Sequence, residues 1–211
     1  MALADLRLPD REFRDGPWIV HELTDGYRLE DLWVVRTPGA GPAGLPDVLR
    51  AIDDAAVSTR DPWIVRMFFA LRRAVGRLFE WDEGAPGRGS GPSPLTGRAA
   101  VAAGTEDSGA GLAPFTVVYT TGQECAVEAA SSLVHLVLHL GWAVPPAGEP
   151  QLQVAVLVRP SGRLGRLYMT AIRPARHLVV FPALVRQWES AWREHGIARR
   201  DQDQAINTKR R

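Results

Sequence analysis

The chain has 211 residues, 45% of them hydrophobic, which suffices for one buried core and excludes both a disordered chain and a disulfide-stapled miniprotein. Twenty-five basic residues against twenty-four acidic ones leave a net charge of +1, so no global field exists to hold nucleic acid, and no such partner is expected. Cys125 is the only cysteine, which excludes an internal disulfide and a cysteine-built zinc site within one chain. A reducing, cytoplasmic setting fits, and neither a metal nor a cofactor is expected.

Residues 1–26 are polar and mixed, punctuated by Pro9, Gly16, Pro17 and Gly26, with no apolar run of the kind a secretion signal carries. They are expected to wrap the surface of a single domain spanning 27–195, with 196–211 as a polar, frayed tail. Residues 27–35, YRLEDLWVV, are rich in aromatic and β-branched side chains and stop at a Thr37-Pro38-Gly39 turn, which predicts the first strand. Val48, Leu49, Ile52 and Ala56 recur at helical spacing over 46–57. A second helix is predicted from the Asp61 cap and Pro62 onward, with Ile64, Met67, Phe68, Leu71, Val75 and Leu78 as its apolar stripe. Residues 84–114 then turn to Gly, Ala, Pro and Ser without periodicity, a flexible loop or a lid.

From 115 to 159 the pattern changes to alternation. Phe115, Val117 and Tyr119 are predicted to share one face of a strand, Cys125, Val127 and Ala129 the same face of the next, then Val134, Leu136, Leu138 and Leu140, and finally Leu152, Val154, Val156 and Val158. One side of this sheet is therefore read as dry. Residues 162–194 read as a long amphipathic helix that covers it. Leu164, Leu167, Tyr168, Ala171, Ile172, Ala175, Leu178 and Val179 form its apolar face, and Arg163, Arg166, Thr170, Arg173 and His177 its wet stripe. Pro174 and Pro182 predict a bend or a break. A membrane span is not expected, because Arg173, Pro174, Arg176, His177 and Pro182 interrupt the best apolar stretch, 167–185.

The segments HELTDGYRLEDLW, LVHLVLHLGW and GRLYMTAIRPARHLVVFPALVRQW resemble the bacterial DUF2867 family, related to the polyketide cyclase and START-like group, over most of the chain from His21 to Trp192. The element order (a strand, two short helices, several antiparallel strands, a long terminal helix) is that of the helix-grip fold of START and Bet v 1-like (SRPBCC) proteins. The resemblance implies an α+β fold in which a curved antiparallel sheet wraps a long C-terminal helix, with an apolar cavity between them. It supplies no catalytic residues.

Strand parity proposes Val117, Tyr119, Val127, Leu136, Leu138, Val154, Val156, Tyr168 and Ile172 as walls of that cavity, with Met67 and Phe68 closing one end. The expected partner is an apolar small molecule, polyketide- or lipid-like, and any catalysis would work by shape and orientation. The alternative is a non-catalytic interaction module or homodimer with a filled groove. The catalytic candidates are the few polar groups in reach of a cavity: Tyr119, Tyr168, and His135 and His139, which become its acid–base pair if a bulge turns their strand over. On a helix, the His135/His139 spacing would suit zinc. On a strand the two lie roughly 13 Å apart and share no metal. Their plainer role is on a polar outer face, paired with Glu124 or Glu128 across a hairpin. Arg173, Arg176 and His177 are read as a solvated helix side or as the contact for an anionic head group, and Cys125 as a small apolar core residue.

Overall fold

A computed structural model describes residues 7–58, 95, 115–131, 133–144 and 149–209. It is a mixed α+β fold built on one antiparallel sheet with a long C-terminal helix. The strands are β1 (Arg28–Val35), β2 (Thr116–Thr120), β3 (Glu124–Ala130), β4 (Val134–Ala143) and β5 (Gln151–Pro160), in the order β1-β5-β4-β3-β2. The three consecutive hairpins follow from the short links between β2 and β5, whereas β1 pairs with the last strand, Arg28 opposite Val158 and Val35 opposite Leu152.

The helices are α1 (Asp10–Arg14), α2 (Val20–Leu23), α3 (Leu45–Ser58), α4 (Gly162–Ala175) and α5 (Phe181–Lys209). Residues Arg176–Val180 join the last two as a π-turn, so the chain helix runs on without a break. Where a bend or break was predicted, the π-turn interrupts the regular α-helix, with Pro174 in α4 just before it and Pro182 in the first turn of α5 just after it. The tail predicted to fray is helical through Lys209. The predicted second helix with Met67 and Phe68, and all of 84–114 except Leu95, lie outside the described residues.

One layer is as expected. Alternate residues of β3, β4 and β5 (Cys125, Val127, Leu138, Leu140, Leu152, Val154, Val156, Val158) join Trp33 and Val35 of β1 under Leu45, Val48, Leu49 and Ile52 of α3, Met169 and Ile172 of α4, and Phe181, Val185 and Trp188 of α5. Trp33 stacks on Phe181 with ring centroids 6.3 Å apart.

The other face of the sheet is also dry, contrary to the single dry face that alternation suggested. Phe13, Trp18, Val20 and Leu23 from the N-terminal segment pack with Leu32, Tyr119, Ala126, Val137, Ala155 and Leu157 in a second core. The wrapping segment is thus half of a sandwich: helix layer, sheet, N-terminal layer. Its start also shields the outer edge of β1, where Arg7 bridges Trp33 and the Leu8 amide donates to the Leu32 carbonyl at 3.0 Å.

Two assignments of facing are corrected. The ladder slips between Val117 and Tyr119, so Val117 lies opposite Val127 on the helix side while Tyr119, opposite Ala126, turns to the N-terminal side. A bulge adds one residue and reverses everything beyond it. On α4 the buried residues are Gly165, Met169 and Ile172, whereas Leu164, Leu167, Ala171 and, in the π-turn, Leu178 and Val179 face solvent. Gly165 sets that rotation. A Cβ there would stand 2.3 Å from the Leu133 carbonyl oxygen, so only glycine lets the helix sit down on the β3–β4 turn.

Candidate functional site

The polar candidates gather on the N-terminal side of the sheet. β3 and β4 are in register, with Ala126 opposite His139 and Ala130 opposite His135, so the odd residues of β4 and the even residues of β3 share that face. Two parallel networks result. In the first, His139 Nε2 lies 2.8 Å from Glu124 Oε2, the Tyr119 hydroxyl donates to the same oxygen at 2.8 Å, and the Ile19 amide donates to Oε1 at 3.1 Å. In the second, His135 Nε2 lies 2.8 Å from Glu128 Oε2 and His135 Nδ1 lies 2.6 Å from the Tyr27 hydroxyl.

Protonation states follow from burial. Burial by itself raises the Glu124 carboxyl, but hydrogen bonds and charge from His139, with the Ile19 amide and the Tyr119 hydroxyl, outweigh it and leave the group below the usual carboxylate range. His139 is only 1% exposed, and burial pushes its pKa down despite Glu124. At neutral pH the pair is therefore a carboxylate and a neutral imidazole, with Nε2–H donating. Tyr119 is pushed upward by burial and by the Glu124 charge, so its hydroxyl keeps its proton. His139 Nδ1, the ring's other nitrogen, is buried and has no hydrogen-bond partner among the described residues.

Phe13 and Trp18 enclose that ring, at centroid distances of 5.4 and 5.0 Å. Gly141 makes room for it: a Cβ there would meet His139 Cε1 at 2.7 Å and Trp18 Cζ3 at 2.8 Å. The first network is thus sealed and fastens the N-terminal layer to the sheet. The second reaches the surface through Tyr27, which lines an open hollow of about 580 Å³ with His21, Thr24, Asp25 and Arg28. The Tyr27 hydroxyl and the Glu128 carboxylate thus hold the His135 ring at its two nitrogens.

The helix side of the sheet carries the apolar lining. Val127, Leu138, Val154, Val156 and Ile172 are buried there, while Val117, Leu136 and Tyr168 are half-buried and pack on the same core, as do Phe115 and Leu133. Tyr168 therefore stands on the opposite side of the sheet from Tyr119, His135 and His139, and the four polar candidates do not form one constellation. Cys125 packs in the helix-side core, where burial pushes its thiol up to about 11. Among the described residues no cluster of three or more His, Cys, Asp or Glu side chains is arranged to hold a metal ion.

A charged cluster that sequence reasoning missed lies between β1 and the π-turn. Arg176, read as part of a solvated helix side, is 6% exposed and contacts Glu30 at 2.9 Å and Asp31 at 3.1 Å, and His177 Nδ1 lies 2.7 Å from Asp31. The ladder slips between Leu29 and Asp31, which turns the Asp31 carboxylate inward among the helices. Burial raises its pKa to about 6 even against Arg176. His177 is lowered by burial and by the neighbouring arginines. The signal available in the sequence was a pair of consecutive carboxylates, Glu30 and Asp31, inside the first strand.

The family described as a protein of unknown function, DUF2867, matches residues 23–183 of the chain. No curated protein and no solved structure matches it.

Proposed function

This chain belongs to the DUF2867 family, and on that premise we propose that it binds an apolar small molecule, polyketide- or lipid-like, between the helix-side face of the sheet and the C-terminal helix. A helix-grip architecture of the START and Bet v 1 kind is part of the proposal. It is supported by the pairing of the first strand with the last, by α3 following β1, and by the long helix after β5.

The observation that carries the reading is a contrast within one face. Val127, Leu138, Val154 and Val156 form a continuous buried apolar floor, while Val117, Leu136 and Tyr168 on its border are only half-buried. Apolar floors with a few polar groups at the rim are what small-molecule sites are made of. Tyr168 is the one hydroxyl proposed for the rim. With the two histidines on the far side of the sheet, any turnover is by exclusion of water and orientation of a flexible substrate.

Native mass spectrometry of protein purified from its source, and a thermal-shift screen against lipids and polyketides, test this. A bound apolar mass and a raised Tm are expected, with both lost in Leu136→Trp, which fills the border. Unchanged mass together with no shift for any compound would reject ligand binding and leave an interaction module with a filled groove.

A further inference from the structure

α4 turns its core face inward through Gly165, Met169 and Ile172, and its outward side carries an apolar strip that the fold does not use. Leu164 and Leu167 are 60% and 50% exposed, and within the π-turn Leu178 and Val179 are 76% and 43% exposed. Leu164 and Leu167 are one turn apart. Helical spacing keeps Leu178 and Val179 on the side that Leu164 and Leu167 occupy, so the strip runs for about 22 Å along one helix.

Beside it stand Arg163, Arg166, Arg173 and Arg186, all exposed, and none of the four pairs with a carboxylate among the described residues. Arg176, inside the same stretch, is neutralised by Glu30 and Asp31. From position 159 to 188 the sequence contains no Asp or Glu. Leucines flanked by uncompensated arginines on one exposed side of a helix match the chemistry of an anionic lipid surface: the leucines enter the acyl boundary and the guanidinium groups remain among the head groups.

We propose that this outward side of α4 and the π-turn docks the protein on anionic membranes, lying in the plane of the surface. Among the described residues no helix is long and apolar enough to cross one. A bilayer is favoured over an acidic protein segment because the strip is carried by one continuous helix and combines exposed leucines with arginines, and the hollow of about 410 Å³ beside Leu178 and Arg186 is open to solvent and not a closed groove. This inference stands apart from ligand binding and neither requires nor predicts it.

Sedimentation of the full chain with phosphatidylcholine vesicles, with and without phosphatidylglycerol, tests the proposal. Binding is expected with phosphatidylglycerol, weak with phosphatidylcholine alone, and falling as salt is raised. Leu164→Glu with Leu167→Glu should weaken it more than about tenfold, and each of Arg163→Gln and Arg166→Gln about fivefold. The substituted side chains are exposed, so an unchanged thermal transition will show that the fold is intact. No binding to the anionic vesicles, equal binding to both compositions, or binding that the four substitutions leave unchanged would overturn the proposal. So would a concentration-dependent dimer, measured by analytical ultracentrifugation, that the leucine substitutions abolish in a protein that ignores vesicles.

Discussion

Glu124 is the residue on which the N-terminal layer hangs. Its carboxylate accepts from Tyr119, His139 and the Ile19 amide, so Glu124→Gln turns an amide N–H₂ toward donors and removes a buried charge. A loss of roughly 3 kcal/mol is expected, read from urea unfolding at pH 7. The pH dependence has a defined sign. His139 is a base whose folded-state pKa lies below its unfolded value of about 6.5, so the unfolded chain takes up the proton first. Its neutral form supports the fold above pH 6.5, and that support drains away as pH falls below it. Asp31 works in the opposite direction. An acid raised from 3.8 to about 6 favours the fold while protonated, so its contribution declines as pH rises from about 4 through 6. Unfolding measured at pH 7.5 and 5.5 should therefore show a smaller acid loss in His139→Gln than in the parent chain. Asp31→Asn should show a larger one, because the compensating gain is removed.

At the scale of elements, the sequence was most legible where the two-residue period runs unbroken. Cys125 and Val127, Leu138 and Leu140, and Leu152 to Val158 all face the helices as alternation required. β2 was opaque for a physical reason: TVVYT is apolar or β-branched throughout, so nothing in it marks the bulge that sends Tyr119 to the other side. α4 was legible as a helix but not in its rotation, because leucines at 164 and 167 outweigh Gly165 in any count of apolar residues. Close approach, not hydrophobicity, chose the buried side. Gly165→Ala should accordingly cost about 2 kcal/mol or more and lower Tm by several degrees, since the obstructing atom is a backbone carbonyl that cannot rotate away. An unchanged Tm would mean that α4 rests on the β3–β4 turn less tightly than the geometry requires. The proposed site was legible in its floor, from parity, and illegible in its polar groups, since the far side of the sheet claimed Tyr119.

For the whole molecule, the second core changes what counts as the folding unit. Ala155 and Leu157 on the supposedly wet side of β5, with Val137 on β4, were the hint that both faces are covered, and Phe13 and Trp18 were the hint of what covers them. Burying Phe13, Trp18, Val20 and Leu23 is worth roughly 8 kcal/mol in gross terms, comparable to the net stability of a domain. A fragment cut to the family-matched span 23–183 would lose three of these four side chains and also Val185 and Trp188 of the other core. Such a fragment is expected to bind a hydrophobic dye and to show no cooperative thermal transition, whereas residues 7–209 should melt in one step.

The pairing of β1 with β5 bears on how the chain is made. During synthesis the first strand emerges with no neighbour to join and must wait, its Trp33 and Leu32 exposed, until Val158 and Leu152 have left the ribosome. The hairpins from β2 to β5 can close among themselves meanwhile. Closing the sheet is thus a late event across a long separation, and the interval before it is when a half-built molecule is most prone to aggregate and most in need of a chaperone.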